Sequence, residues 1–254
     1  MIIAPNAERH TFSNSSLHAN SPGSFYSSGS FDARNKFMTY DHGYCFGTGK
    51  PWQTVFGEML EQLQFPDGGG ITINHPVWSK LSFGQVCAML DFDRRVLGIE
   101  VYNDTCEVST TTPQRGWATA LWDQLLDTGR KCFGFFVPDH TLEKGRNILL
   151  VPEFTEHACL QAYRKGAFYG AINGTGLAFT RILLKNNGLE VEVSHPSTIR
   201  MISDMRTVTK SDVRSTRFSI NVDDPDRPAM KYARVEAEDG SGERIFSQPI
   251  RFTL

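Results

Sequence analysis

Between residues 51 and 165 the chain alternates between two apolar periods, and this constrains its fold more than any other feature. Trp52, Val55, Phe56, Met59, Leu60 and Leu63 recur at helical spacing, and Phe65-Pro-Asp-Gly-Gly-Gly stops that helix. The short apolar run at 71–74 reads as a strand. Ser82 is placed to cap a second helix carrying Val86, Leu90 and Phe92, and 96–102 forms the next strand. Another helix passes through Trp117, Ala120, Leu121, Leu125 and Leu126 and ends at Gly129. Strands are predicted at 133–137 and 147–151, then a helix at 155–165. Strands separated by such helices imply an α/β fold of βα units around a parallel sheet. Trp52, Trp117 and Trp122 are expected in its core.

Near residue 178 the period becomes two. Leu189, Val191 and Val193 alternate with Glu190, Glu192 and Ser194, and 232–238 and 244–247 behave alike around a Gly-Ser-Gly turn. The expected division is therefore 1–177 and 178–254, the second part a small all-β antiparallel module. Residues 11–35, rich in Ser, Asn and Gly, read as an irregular loop. At 254 residues, 40% of them hydrophobic, the chain can bury a substantial core. A net charge of −2 provides no basic field for nucleic acid or membrane surfaces. The five cysteines (45, 87, 106, 132 and 159) form no Cys-x-x-Cys pair and suggest reduced thiols. The N-terminus lacks a basic region followed by a long apolar run, and no stretch reaches membrane-span length. A soluble cytoplasmic protein is expected.

The segment Gly-Gly-Gly-Ile-Thr-Ile-Asn-His-Pro (68–76) ends a strand on a histidine. Pro76 should hold His75 extended, sending its imidazole out of the strand end in a defined direction. A histidine there suits a ligand at the mouth of a parallel sheet or barrel.

Six short segments, in order, make residues 1–177 resemble the PHP (polymerase and histidinol phosphatase) family of metal-dependent phosphoesterases. They are Ile-Ile-Ala-Pro-Asn-Ala-Glu (2–8), Leu-His-Ala-Asn (17–20), Gly-Ile-Thr-Ile-Asn-His-Pro (70–76), Leu-Gly-Ile-Glu-Val-Tyr-Asn (97–103), Phe-Gly-Phe-Phe-Val-Pro-Asp-His (133–140) and Ala-Tyr-Arg-Lys-Gly-Ala-Phe-Tyr-Gly (162–170). The resemblance implies a distorted or incomplete (β/α)7 barrel with divalent metals at the C-terminal ends of its strands. It implies Glu8, His18, His75, Asp139 and His140 as metal ligands, with Glu8, His75 and Asp139 carrying the catalysis. Asp139 and His140 are adjacent where the family spaces them, so a backbone turn is needed to aim both inward. The family's opening His-x-His and Thr-Asp-His strands have no counterpart, because only seven residues precede Glu8. Asp41-His42 falls out of family order. Either two βα units are missing or the chain starts inside a longer protein. Missing units would leave strand edges for a second subunit or residues 11–50 to cover.

A mixed His/Asp/Glu set suits Zn²⁺, Mn²⁺ or Fe²⁺. The expected function is hydrolysis of a small-molecule phosphoester, or a related ester or carbamate, through metal-activated water. The alternative is an inactive scaffold that binds a metal, ligand or partner. Glu100 and Asn103 are candidate supports for His75, although packing or strand-end hydrogen bonding is the simpler role. His10 is an alternate ligand, and Lys80, Arg9 and Arg146 are candidate phosphate partners. His157 and His195 read as solvated or structural.

Overall fold

The computed structural model describes residues 1, 2, 4–6, 8–26, 48–109, 114–141, 143–185, 188–211, 214–221 and 230–252. The Asp41-His42 pair and Cys45 lie outside them. Strand exceeds helix, 39% to 20%, and the strands form two mostly antiparallel sheets, one of them a half-barrel. The expected (β/α)7 barrel is therefore incorrect. Among the described residues, no helix is long and apolar enough to cross a membrane.

The five-stranded sheet has the order β1 (Glu8–Arg9), β2 (His18–Asn20), β3 (Ile71–Asn74), β4 (Val96–Asn103), β5 (Phe133–Val137). Among the described residues of this sheet, only β3–β4 and β4–β5 pair in parallel. They are connected through α2 (Phe83–Leu90) and through α3 (Asp104–Val108) followed by α4 (Thr119–Asp127). Here the periodicity was informative. α1 (Trp52–Glu61) buries Trp52, Val55, Phe56, Met59 and Leu60, and Ser82 with Gln85 forms a reciprocal capping box on α2. β3 and β4 are buried at every position, as strands covered on both faces must be.

The glycine run before β3 serves close packing. A Cβ on Gly69 would lie 2.0 Å from the Pro22 carbonyl oxygen, and one on Gly70 2.3 Å from that of Arg95; both have positive φ. α5 (Glu156–Lys165) clamps this loop, with Arg164 donating to the carbonyls of Pro66, Gly68 and Gly69.

The parallel order stops after β5. β6 (Arg146–Leu149), expected to continue it, pairs antiparallel with β7 (Phe168–Ile172). These two strands belong to the nine-stranded sheet, with β8 (Phe179–Lys185), β9 (Gly188–Ser203), β10 (Arg206–Lys210), β11 (Ser215–Asn221), β12 (Tyr232–Glu238), β13 (Arg244–Ser247) and β14 (Ile250–Arg251). β7 pairs with β13, so this sheet crosses residue 177. Consecutive left-handed residues Asp204 and Met205 make the turn between β9 and β10.

Side chains close the seam between the sheets. Gly134 in β5 donates its N–H to Gln248 Oε1 (2.8 Å) and accepts from Gln248 Nε2 (2.8 Å). Asn147 Oδ1 accepts the Phe136 N–H at 3.0 Å. The two amides replace a neighbouring strand along this edge of β5. At the other end β2 covers β3, so residues 18–20 of the expected loop form a covering strand. Arg234 on β12 meets Asp123 on α4 through two bonds of 2.6 and 2.8 Å, and its guanidinium lies over Trp122. Trp52 and Trp122 are buried, and Trp117 is partly buried against the same core.

Candidate metal centre

Antiparallel pairing of β2 with β3 sets His18 opposite Asn74, next to His75, and pairing of β1 with β2 sets Glu8 opposite Asn20. Three residues distant in sequence thus meet at one strand end. His18 Nδ1 lies 3.2 Å and His75 Nε2 3.5 Å from the same oxygen of Glu8, Oε1. His75 has φ +25°, not the extended backbone expected before Pro76. A non-glycine residue held in this region is strained, a condition concentrated at functional sites.

Asp139 follows β5 with φ +56°, which supplies the turn the adjacent Asp-His pair needs. Both residues line the same cavity of about 190 Å³ as Glu8, His18 and His75, together with Trp78, Thr105, Cys106 and Ser109. His140 is at the rim, its side chain 83% exposed and its Nε2 3.4 Å from Asp139 Oδ1. Sequence reasoning missed Cys106 and Trp78. A cysteine without a spaced partner carries no ligand signal, and Trp78 follows the His-Pro motif without a distinguishing period.

Two asparagines at strand ends orient the acids. Asn74 Nδ2 donates to Glu8 Oε1 (3.1 Å) and to Asn20 Oδ1 (3.2 Å). Asn103 Nδ2 donates to Asp139 Oδ2 (3.1 Å) and Glu100 Oε2 (3.0 Å), while its Oδ1 accepts from the Cys106 N–H. Glu100 supports the His75 backbone, accepting its N–H at 2.8 Å. The His75 ring is oriented through Nδ1, which is 3.1 Å from Ser79 Oγ, leaving Nε2 toward Glu8.

These contacts set the proton affinities. Burial works to raise the Glu8 carboxyl, but hydrogen bonds with His18, His75 and Asn74 outweigh it and hold the group well below the usual range. Burial disfavours the His75 cation, yet Glu8, Glu100 and Asp139 outweigh it and raise its pKa. Glu100, enclosed in β4, is pushed up to about 7 by burial, against the opposing pull of His75 and Asn103. Cys106 is pushed up to about 12 by burial and by Asp139, Glu100 and Glu8.

The other candidates do not line this cavity. The His10 ring is 5.3 Å from that of His18, and its Nδ1 meets Thr11. Lys80, Arg9 and Arg146 are not among the residues lining the cavity. His157 pairs with Asp67 at 2.8 Å on the surface, and His195 meets Ser194, also on the surface.

Comparison with known protein families, characterised proteins and solved structures finds no match to this chain. Neither this result nor the β-rich architecture supports the PHP resemblance, and the architecture overturns it.

The donors fit a metal. Zinc with nitrogen and oxygen donors at about 2.0–2.2 Å has donor–donor edges of about 3.3–3.6 Å in a tetrahedron. The 3.5 Å contact falls among those edges and the 3.2 Å contact just below them, and the three donor atoms lie within 4.8 Å of one another.

Proposed function

We propose that Glu8, His18 and His75 hold a divalent transition-metal ion, Zn²⁺, Mn²⁺ or Fe²⁺, and that the protein hydrolyses a small phosphoester or a related ester or carbamate. The carrying observation is that one Glu8 carboxylate oxygen lies 3.2 Å from His18 Nδ1 and 3.5 Å from His75 Nε2, with all three residues lining one cavity. Such an ion supplies Lewis acidity and lowers the pKa of water to about 7. Glu8, ionised by its hydrogen bonds, and His75, oriented by Ser79, provide donors whose geometry needs little rearrangement. Asp139, whose Oδ2 accepts a hydrogen bond from Asn103, lines the same cavity and would serve as the general base toward a bound water. His140 at the rim can meet the outer part of the substrate. At about 190 Å³ the cavity suits a small reacting group.

A non-catalytic metal-binding scaffold is the second reading. It is favoured by the absence of lysine and arginine among the described residues lining the cavity, which leaves little fixed positive charge for a phosphoester. Elemental analysis after reconstitution with Zn²⁺ or Mn²⁺, followed by assays on aryl phosphates and aryl carboxylic esters, tests both. Bound metal and turnover, both lost in His18→Ala and His75→Ala, are expected. Failure to retain either metal overturns both readings. Bound metal without turnover on any of these esters leaves the scaffold reading.

A further inference from the structure

The same cavity has a second set of donors. Cys106 Sγ, an Asp139 carboxylate oxygen and a His75 ring nitrogen all lie within 4.8 Å of one another. Cys106 is only 4% exposed, yet it lines the cavity. No hydrogen bond to its sulfur is found among the described residues, in contrast to the carboxylates around it. Its backbone N–H is fixed by Asn103, whose amide also holds Asp139, so one side chain sets both donors in register.

We propose that Cys106, Asp139 and His75 form a second coordination position in this cavity, selective for strongly thiophilic cations such as Cd²⁺, with Co²⁺ as its spectroscopic probe. It rests on the reading of the cavity as a metal centre and adds a ligand and a basis for metal selection. His75 Nδ1 faces Ser79 and Nε2 faces the cavity, so the two positions share one nitrogen. The cavity therefore takes one ion at a time. Hard Mn²⁺ sits on the Glu8 and His18 side, and soft ions move toward the sulfur, because thiolate favours soft metals and carboxylate hard ones. The buried thiol loses its proton to solvent when the sulfur–metal bond forms.

Cobalt spectroscopy on the full chain tests this. Wild type with Co²⁺ should show visible d–d bands together with a near-ultraviolet thiolate-to-cobalt charge-transfer band. Cys106→Ser should lose the charge-transfer band while keeping d–d bands and Mn²⁺ binding. Glu8→Gln should lose Mn²⁺ binding and retain the charge-transfer band. Should Cys106→Ser fold poorly, the cadmium NMR shift of wild type reports directly whether sulfur is bound. Cobalt d–d bands without charge transfer, a charge-transfer band that survives Cys106→Ser, or a cadmium shift typical of oxygen and nitrogen donors alone would each overturn the second position. Any of these leaves the Glu8 centre standing. Absence of cobalt, cadmium and manganese binding in wild type overturns both.

Discussion

Replacing Glu100 with glutamine should make the metal-free protein more stable at alkaline pH and change it little at pH 4. Glu100 is enclosed in β4 and accepts the His75 N–H and one Asn103 amide hydrogen, two bonds a glutamine carbonyl can also accept. Burial pushes its carboxyl from 4.5 in the unfolded chain to about 7 in the fold. Between those values the folded state keeps a proton that the unfolded state has released, so stability falls as pH rises through the window. A shift of about 2.5 units at 1.36 kcal/mol each is a loss of about 3 kcal/mol, complete above the folded value. The variant carries no charge there and avoids the loss. The Glu8 contribution largely cancels when the two proteins are compared at each pH, and loss of the Glu100 charge beside His75 makes the difference somewhat smaller than the full shift. Urea unfolding from pH 4 to 8 in the presence of a chelator measures the difference. The two stabilities should agree near pH 4 and diverge progressively to pH 8 in favour of Glu100→Gln. Parallel curves across the range would show that Glu100 is not held protonated by its surroundings, and the reasoning would fail.

Three further outcomes are expected. Asp123→Ala leaves the Arg234 guanidinium, 3% exposed, with Glu236 as its remaining carboxylate partner, and should cost about 3 kcal/mol; Asp123→Leu with Arg234→Met should recover most of it in denaturant titrations. Gln248→Leu leaves the buried Gly134 N–H without its acceptor and should cost about 2 kcal/mol, a Tm drop of about 4–8 °C by calorimetry. Metal affinity, followed by titration calorimetry from pH 5 to 8, should weaken as pH falls through the raised His75 pKa, because the proton competes for the ligand nitrogen, while Glu8 stays ionised throughout.

Local spacing was sufficient for α1, the Ser82 cap of α2, the buried strands β3 and β4, and the strand-terminal position of His75. Each depends on which face of a segment is apolar or which residue caps it, and neighbouring residues record both. The direction in which strands pair is not recorded there. An apolar run such as 147–151 reads the same whether its neighbour is parallel or antiparallel, and only the packing of β6 on β7 decided it. The extended His75 inferred from Pro76 was overridden by the hydrogen bond from its N–H to Glu100, a residue 25 positions away. Glu8, His18, His75, Asp139 and His140 were recognisable as donor residue types, but their meeting depends on strand registers β1–β2 and β2–β3. Cys106 had no marking in the sequence, because its place in the cavity comes from the turn of α3 after β4 and from Asn103. Residue chemistry was a property of the chain itself, whereas convergence required tertiary structure, since long-range pairing brings those groups within reach of one ion.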